Sequence, residues 1–139
     1  QKYLAELAEQ YGVEDKIEFL GSLSGEEMKQ AFLDANVFVL PSTIENSPNS
    51  LGEAMLLGVP CVAADVGGVT TMMRHGLEGE IYPSTAPYML AFYVENLFAQ
   101  GEAAEAMGAA AHAHAGVTHD PEKNLADLLE IYESLATEG

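Results

Sequence analysis

Pro41-Ser42-Thr43-Ile44-Glu45-Asn46-Ser47-Pro48-Asn49-Ser50-Leu51-Gly52-Glu53-Ala54-Met55 follows directly on the apolar run Val37 to Leu40. That run is β-branched and aromatic, and Pro41 closes it, the pattern of a strand buried on both faces of a parallel sheet. Pro48 suits the first turn of a helix with Ser47 as N-cap, and the helix is predicted to run to Leu57 before Gly58 stops it. Strand, polar loop and helix in that order form the unit from which open parallel sheets are built, and ligands bind at the carboxyl ends of such strands. The free N–H groups of the helix's first turn carry about half a positive charge there, so a phosphate can be held without a basic side chain.

The same alternation extends on both sides. Leu4, Leu7, Ala8 and Tyr11 predict a helix from Gln1 to Tyr11, with Gly12 as its stop. Ile17, Phe19 and Leu20 read as a short strand ended by Gly21; Ser24 and Glu27 then form a capping box for a helix carrying Met28, Ala31, Phe32 and Ala35. Downstream, Pro60 precedes a buried strand from Cys61 to Ala64 that ends at Asp65 and the Gly67-Gly68 turn. A helix from Val69 to Arg74 and a strand around Glu80 to Tyr82 follow. Such alternation implies right-handed crossovers and a mostly parallel α/β sheet. Beyond Ser84 no strand pattern recurs, and three helices are predicted at about residues 84–100, 102–114 and 121–136, the second rich in alanine.

The 139 residues, 48% of them apolar, suffice for one well-packed core, so a single domain over 1–139 is expected. Five Lys plus Arg stand against 22 Asp plus Glu, a formal charge of −17 that repels nucleic acid and the anionic face of a bilayer. No apolar run approaches the length of a membrane span or signal segment, which predicts a soluble, cytoplasmic domain. The lone Cys61, inside an apolar run, reads as a core thiol. The same acidity opposes any anionic ligand over long range, so an anion site here must rest on local dipoles or on residues outside the chain.

Glu45 lies just before the helix and Glu53 eight residues later, so both carboxylates can face one cleft at different depths. Carboxylates accept hydroxyl donors well, and a pair beside an anion site suits vicinal hydroxyls, a ribose on one and a hexose on the other. Read without its surroundings, Glu45 fits better a residue favouring a helix N-terminus, and Glu53 a solvated face.

Glu-x7-Glu followed by Ala-Met-x-x-Gly-x-Pro-x-Val-Ala-x-Asp-x-Gly-Gly, here Glu45 through Gly68, resembles the family 4 retaining glycosyltransferases of the GT-B fold. Ile17 to Gly21 and Ala35 to Ser42 resemble the family's preceding strands, so the similarity covers at least residues 13–83. The resemblance implies a Rossmann-like parallel sheet with flanking helices, the C-terminal, donor-binding half of such an enzyme, with a helical C-terminal tail. It puts Glu53 on the ribose and Glu45, the candidate catalytic residue, beside the transferred sugar. Backbone amides of Asn49, Ser50 and Leu51 would meet the diphosphate and sugar, and Leu23 would hold the base through backbone groups, although Leu23 also fits an ordinary staple residue before its helix. The chain has Glu45-Asn46-Ser47-Pro48 in place of the commoner Glu-Gly-Phe-Gly and resembles the family's Pro-Asn variant.

For the whole enzyme the resemblance implies metal-independent transfer of a sugar from a nucleotide-diphosphate donor, with retention, in polysaccharide or glycoconjugate biosynthesis. No cofactor is implied besides the nucleotide-sugar substrate. Family members set an Arg and a Lys against the diphosphate from a segment preceding the opening helix; that segment and the acceptor domain of the same polypeptide are expected upstream of Gln1. The alternative is a non-catalytic nucleotide-sugar-binding or assembly module. An unrelated nicotinamide-binding domain should carry a Gly-rich first turn, and none is present. Arg74 reads as a surface or helix-end residue, and His75 as a complement to a helix C-terminus. His112 and His114, two apart on a predicted helix, point to opposite sides and with His119 make no expected metal site.

Overall fold

The computed structural model describes residues 2–137. Their contacts fall into two compact units, with the boundary between Gln30 and Ala31.

The first unit opens with α1 (Lys2–Tyr11), followed by a single 3-10 turn at Glu14–Lys16. Ile17 to Leu20, expected as a strand, makes no ladder among the described residues, and Ile17, Phe19 and Leu20 are all exposed. A strand exists only through a partner's N–H and C=O groups, so apolar composition alone does not produce one. The capping box forms as expected at the start of α2 (Gly25–Asp34). Glu27 Oε2 accepts from the Ser24 amide at 2.8 Å and the Ser24 hydroxyl at 2.7 Å, which holds the Glu27 carboxyl below its ordinary range.

The second unit is built on three parallel strands, β1 (Phe38–Leu40), β2 (Cys61–Asp65) and β3 (Glu80–Pro83), in the order β1-β2-β3. Phe38 pairs with Cys61, and Val62 with Glu80. Side chains of β2 alternate between two cores. Cys61 and Ala63 pack with Leu51 and Met55 of α3 (Asn49–Leu56) and with Ala111 and Ala115 of α6 (Glu102–Thr118). Val62 and Ala64 pack with Tyr82, with Leu97 of α5 (Pro87–Gln100) and with Ala104. Coverage on both faces explains why β2 is an unbroken apolar run. Cys61 is fully buried, its thiol donates to the Val59 carbonyl at 3.1 Å, and burial pushes its pKa up to about 12, so the expected core thiol is what the fold contains.

α3 ends as its sequence predicts. Gly58, at φ +73, turns the chain so that its amide donates to Met55 and the Val59 amide to Ala54, both at 3.0 Å. α6 runs antiparallel along α3: His119 lies against Gly52, His112 Nδ1 is bonded to the Leu56 carbonyl at 2.6 Å, and Gly108 meets Gly58. The Gly58 carbonyl fills the space a Cβ on Gly108 would need, so this helix requires small residues for contact. α4 (Val69–Met72) stops two residues short of Arg74, because Met73 is already extended. α7 (Pro121–Thr137) starts where Asp120 Oδ1 accepts from the amides of Glu122 and Lys123, each at 2.9 Å. It buries none of its residues, and Leu125, Leu128, Leu129, Tyr132 and Leu135 form an exposed stripe.

Candidate functional site

The loop after β1 and the turn after β2 meet at the carboxyl end of the sheet. There the Gly68 amide donates to the Asn46 carbonyl at 2.6 Å. Gly67 adopts φ +52, and the space of a Cβ at this position is already taken by the Glu45 carbonyl. Only glycine combines that backbone angle with so close an approach. The Gly-Gly turn therefore fastens the Glu45–Asn46 backbone from behind. Glu45 is half-buried, and its side chain is fixed from the front, since the Ser42 hydroxyl donates to Glu45 Oε1 at 2.6 Å.

Pro48 is extended at ψ 108 and stands as the N-cap of α3, which begins at Asn49. Ser47 is thus not the cap: its hydroxyl faces the Met72 sulfur at 3.5 Å, and the helix begins one residue later than a Ser47 cap requires. Leu51 is fully buried and its amide already donates to the Pro48 carbonyl at 3.1 Å. The Asn49 and Ser50 amides have no acceptor among the described residues. Two donors therefore lie open at the positive end of α3, with Glu45 before them and the exposed Glu53 in the following turn. Leu23, half-buried immediately before the Ser24 cap, belongs to the first unit.

Among the described residues every Lys and Arg side chain lies beside a carboxylate of the chain itself. Lys2, Lys16, Lys29 and Lys123 pair with Glu6, Asp15, Glu26 and Asp127, and Arg74, read from sequence as a simple surface or helix-end residue, pairs with Glu78. Sequence reasoning missed Glu78, which is fully buried before β3. Desolvation pushes its carboxyl up, but hydrogen bonds from the Arg74 side chain and amide, together with His114 Nδ1 at 2.7 Å, outweigh it and bring the pKa down to about 2. A buried charge persists only with partners of this kind. Arg74 stands only four residues before Glu78, but the contact from His114 on α6 is distant in sequence and carried no local sign.

His75, expected at a helix C-terminus, instead accepts the Ile81 amide on Nδ1 at 3.0 Å and packs edge-on against Tyr93, because α4 ends before reaching it. His112 and His114 point to separate partners, Leu56 and Glu78. A cavity of about 720 Å³ opens between Val37, Pro60, Leu97 and His112, at the amino ends of β1 and β2. It faces away from the Glu45 loop, and parallel sheets bind at the opposite, carboxyl end. No helix among the described residues is long and apolar enough to cross a membrane.

Residues 1–114 match the family described as Glycosyl transferases group 1. A D-inositol 3-phosphate glycosyltransferase of Corynebacterium urealyticum is 30% identical over 98% of this chain and 32% of its own length. The chain spans about a quarter to a third of the curated relatives it matches. In fold it is similar to sucrose-phosphate synthase from Thermosynechococcus elongatus, with a TM-score of 0.90 at 23% identity over 99% of this chain and 35% of that one. HepE of Anabaena in complex with UDP-glucose superposes with a TM-score of 0.83 at 23% identity, over 93% of this chain and 36% of that one. The α/β architecture, parallel sheet and helical tail expected from the sequence are those of these GT-B structures. With its family model matched over residues 1–114, this chain belongs to the glycosyl transferases of group 1.

Proposed function

We propose that the chain forms the donor-binding half of a family 4, retaining, metal-independent glycosyltransferase. The open amides of Asn49 and Ser50, bracketed by Glu45 and Glu53, carry this reading. In it the diphosphate sits on the amino end of α3, Glu53 accepts the ribose hydroxyls, and Glu45 accepts hydroxyls of the transferred sugar. The bond from the anomeric carbon to the diphosphate oxygen breaks, a bond to an acceptor hydroxyl forms on the same face, and the acceptor's proton passes to the leaving diphosphate. Charge builds on the leaving diphosphate, and amides already aimed at it stabilise that charge without reorganisation. A glycosyltransferase relative acting on inositol phosphate and a fold neighbour holding UDP-glucose support a nucleotide-sugar donor and a place in glycoconjugate or polysaccharide assembly.

All five cations being paired internally, the chain binds the diphosphate weakly by itself, with Kd near the millimolar range (roughly −4 kcal/mol). Calorimetric titration with UDP and GDP tests this, beside a Glu53→Ala variant. Binding lost in Glu53→Ala supports the nucleotide site and identifies the base; equal binding by both proteins overturns the assignment of Glu53. The same pairing of cations favours a second reading, a nucleotide-sugar-binding module without chemistry of its own. Rapid sugar transfer by the 139-residue chain would exclude that module.

A further inference from the structure

The Glu45 carboxylate is the better held of the two, and what holds it is a residue with no role in the reading above. Its backbone is held, because the Glu45 carbonyl fills the space that a Cβ on Gly67 would need and the Gly68 amide donates to the next carbonyl. What remains free is the side chain, and Glu is among the side chains that lose most rotamer freedom when fixed. Ser42 removes that freedom. It sits on the same loop, anchored by β1 through Pro41, and its hydroxyl donates to Oε1 at 2.6 Å, a short bond to a charged acceptor.

We propose that Ser42 is a positioning residue for sugar recognition: by holding Oε1 it presents Oε2 of Glu45 to the hydroxyls of the donor's sugar. This rests on the placement of Glu45 beside the sugar proposed above. Ser42 touches neither nucleotide nor sugar. Its hydroxyl acts through Glu45, so its effect falls on the sugar part of the donor and leaves the nucleotide part, held by Glu53 and the α3 amides, unaffected. Threonine keeps the hydroxyl on the same carbon, whereas alanine removes it.

Ligand-observed NMR titrations of the 139-residue chain with UDP and with UDP-glucose separate these roles. Ser42→Ala is expected to weaken UDP-glucose about tenfold, the equivalent of one charge-assisted hydrogen bond, while UDP affinity moves less than about twofold. Ser42→Thr restores UDP-glucose affinity. Equal weakening of both ligands makes Ser42 a structural residue and overturns the proposal, as does an unchanged UDP-glucose affinity. A wild-type chain that binds neither ligand overturns the donor-site reading itself, and this proposal with it; one that binds UDP but gains nothing from the sugar overturns only the role of Glu45 and Ser42.

Discussion

His114 of α6 reaches across to Glu78, its Nδ1 2.7 Å from a carboxylate oxygen that has no exposure to solvent. Arg74 binds the same carboxylate, its amide donating to Oε2 and its guanidinium to Oε1, the oxygen that His114 faces. A negative charge inside the fold is thereby shared between the segment after α4 and the helix that lies along α3.

Acid is the condition under which this arrangement should fail first. The Glu78 carboxyl titrates near 2 in the fold, against about 4.5 when the chain is unfolded. A depressed folded pKa means that the unfolded chain takes up the proton first, so the contribution is complete above about 4.5 and is lost as pH falls toward 2. Thermal unfolding followed through that window should show a steeper loss of Tm for the wild type than for Glu78→Gln. Parallel curves would remove Glu78 as a source of the acid sensitivity.

Gly67→Ala should be far more costly than Gly76→Ala, although both glycines have positive φ, +52 and +74. A Cβ at Gly76 meets nothing within 4 Å, so that variant carries backbone strain alone, whereas at Gly67 it collides with the Glu45 carbonyl. Backbone strain of this kind is worth about 1–3 kcal/mol, and the Gly67 variant should exceed the Gly76 variant by at least about 1 kcal/mol in urea unfolding. Similar values for the two would mean that the Glu45 loop yields easily.

Gly108→Val should lower stability by about 1–3 kcal/mol, the usual cost of forcing extra volume into a packed contact. The obstruction is the Gly58 carbonyl, which cannot rotate away as a side chain would. Gly116→Val, on the same helix with open space around it, serves as the control. A Gly108 variant as stable as that control would show that α6 lifts from α3 at little cost.

Cys61 should resist a thiol reagent at neutral pH until the chain unfolds. Its pKa near 12 leaves almost no thiolate, and burial denies access. The labelling rate measured against urea should therefore follow the unfolding transition, and fast labelling of the native protein would contradict the packing around β2.

Much of this was readable in the sequence where the determinants are local. The helical spacing of α5, α6 and α7, the Ser24–Glu27 box, the stop at Gly58 and the apolar run of β2 each depend on residues a few positions apart. Ile17 to Leu20 failed as a strand because pairing belongs to two segments, and composition reports on one. Ser47 lost the cap of α3 to a ψ angle at Pro48 that the sequence does not state. Within the candidate site, the order Glu45, Asn49, Ser50, Glu53 was visible, but the engagement of the Leu51 amide by Pro48, the hold of Ser42 on Glu45 and the burial of Glu78 arise from geometry.

The contact of Gly58 with Gly108 has a mechanical side. Helices separated by long side chains can slide by changing rotamers, but two that touch through backbone, and are pinned again by His112 on the Leu56 carbonyl, have no such slack. α3 and α6 must therefore travel as one strut. A displacement of α3 along its axis is shared by α6 and reaches the bend at Gly101, where α6 begins.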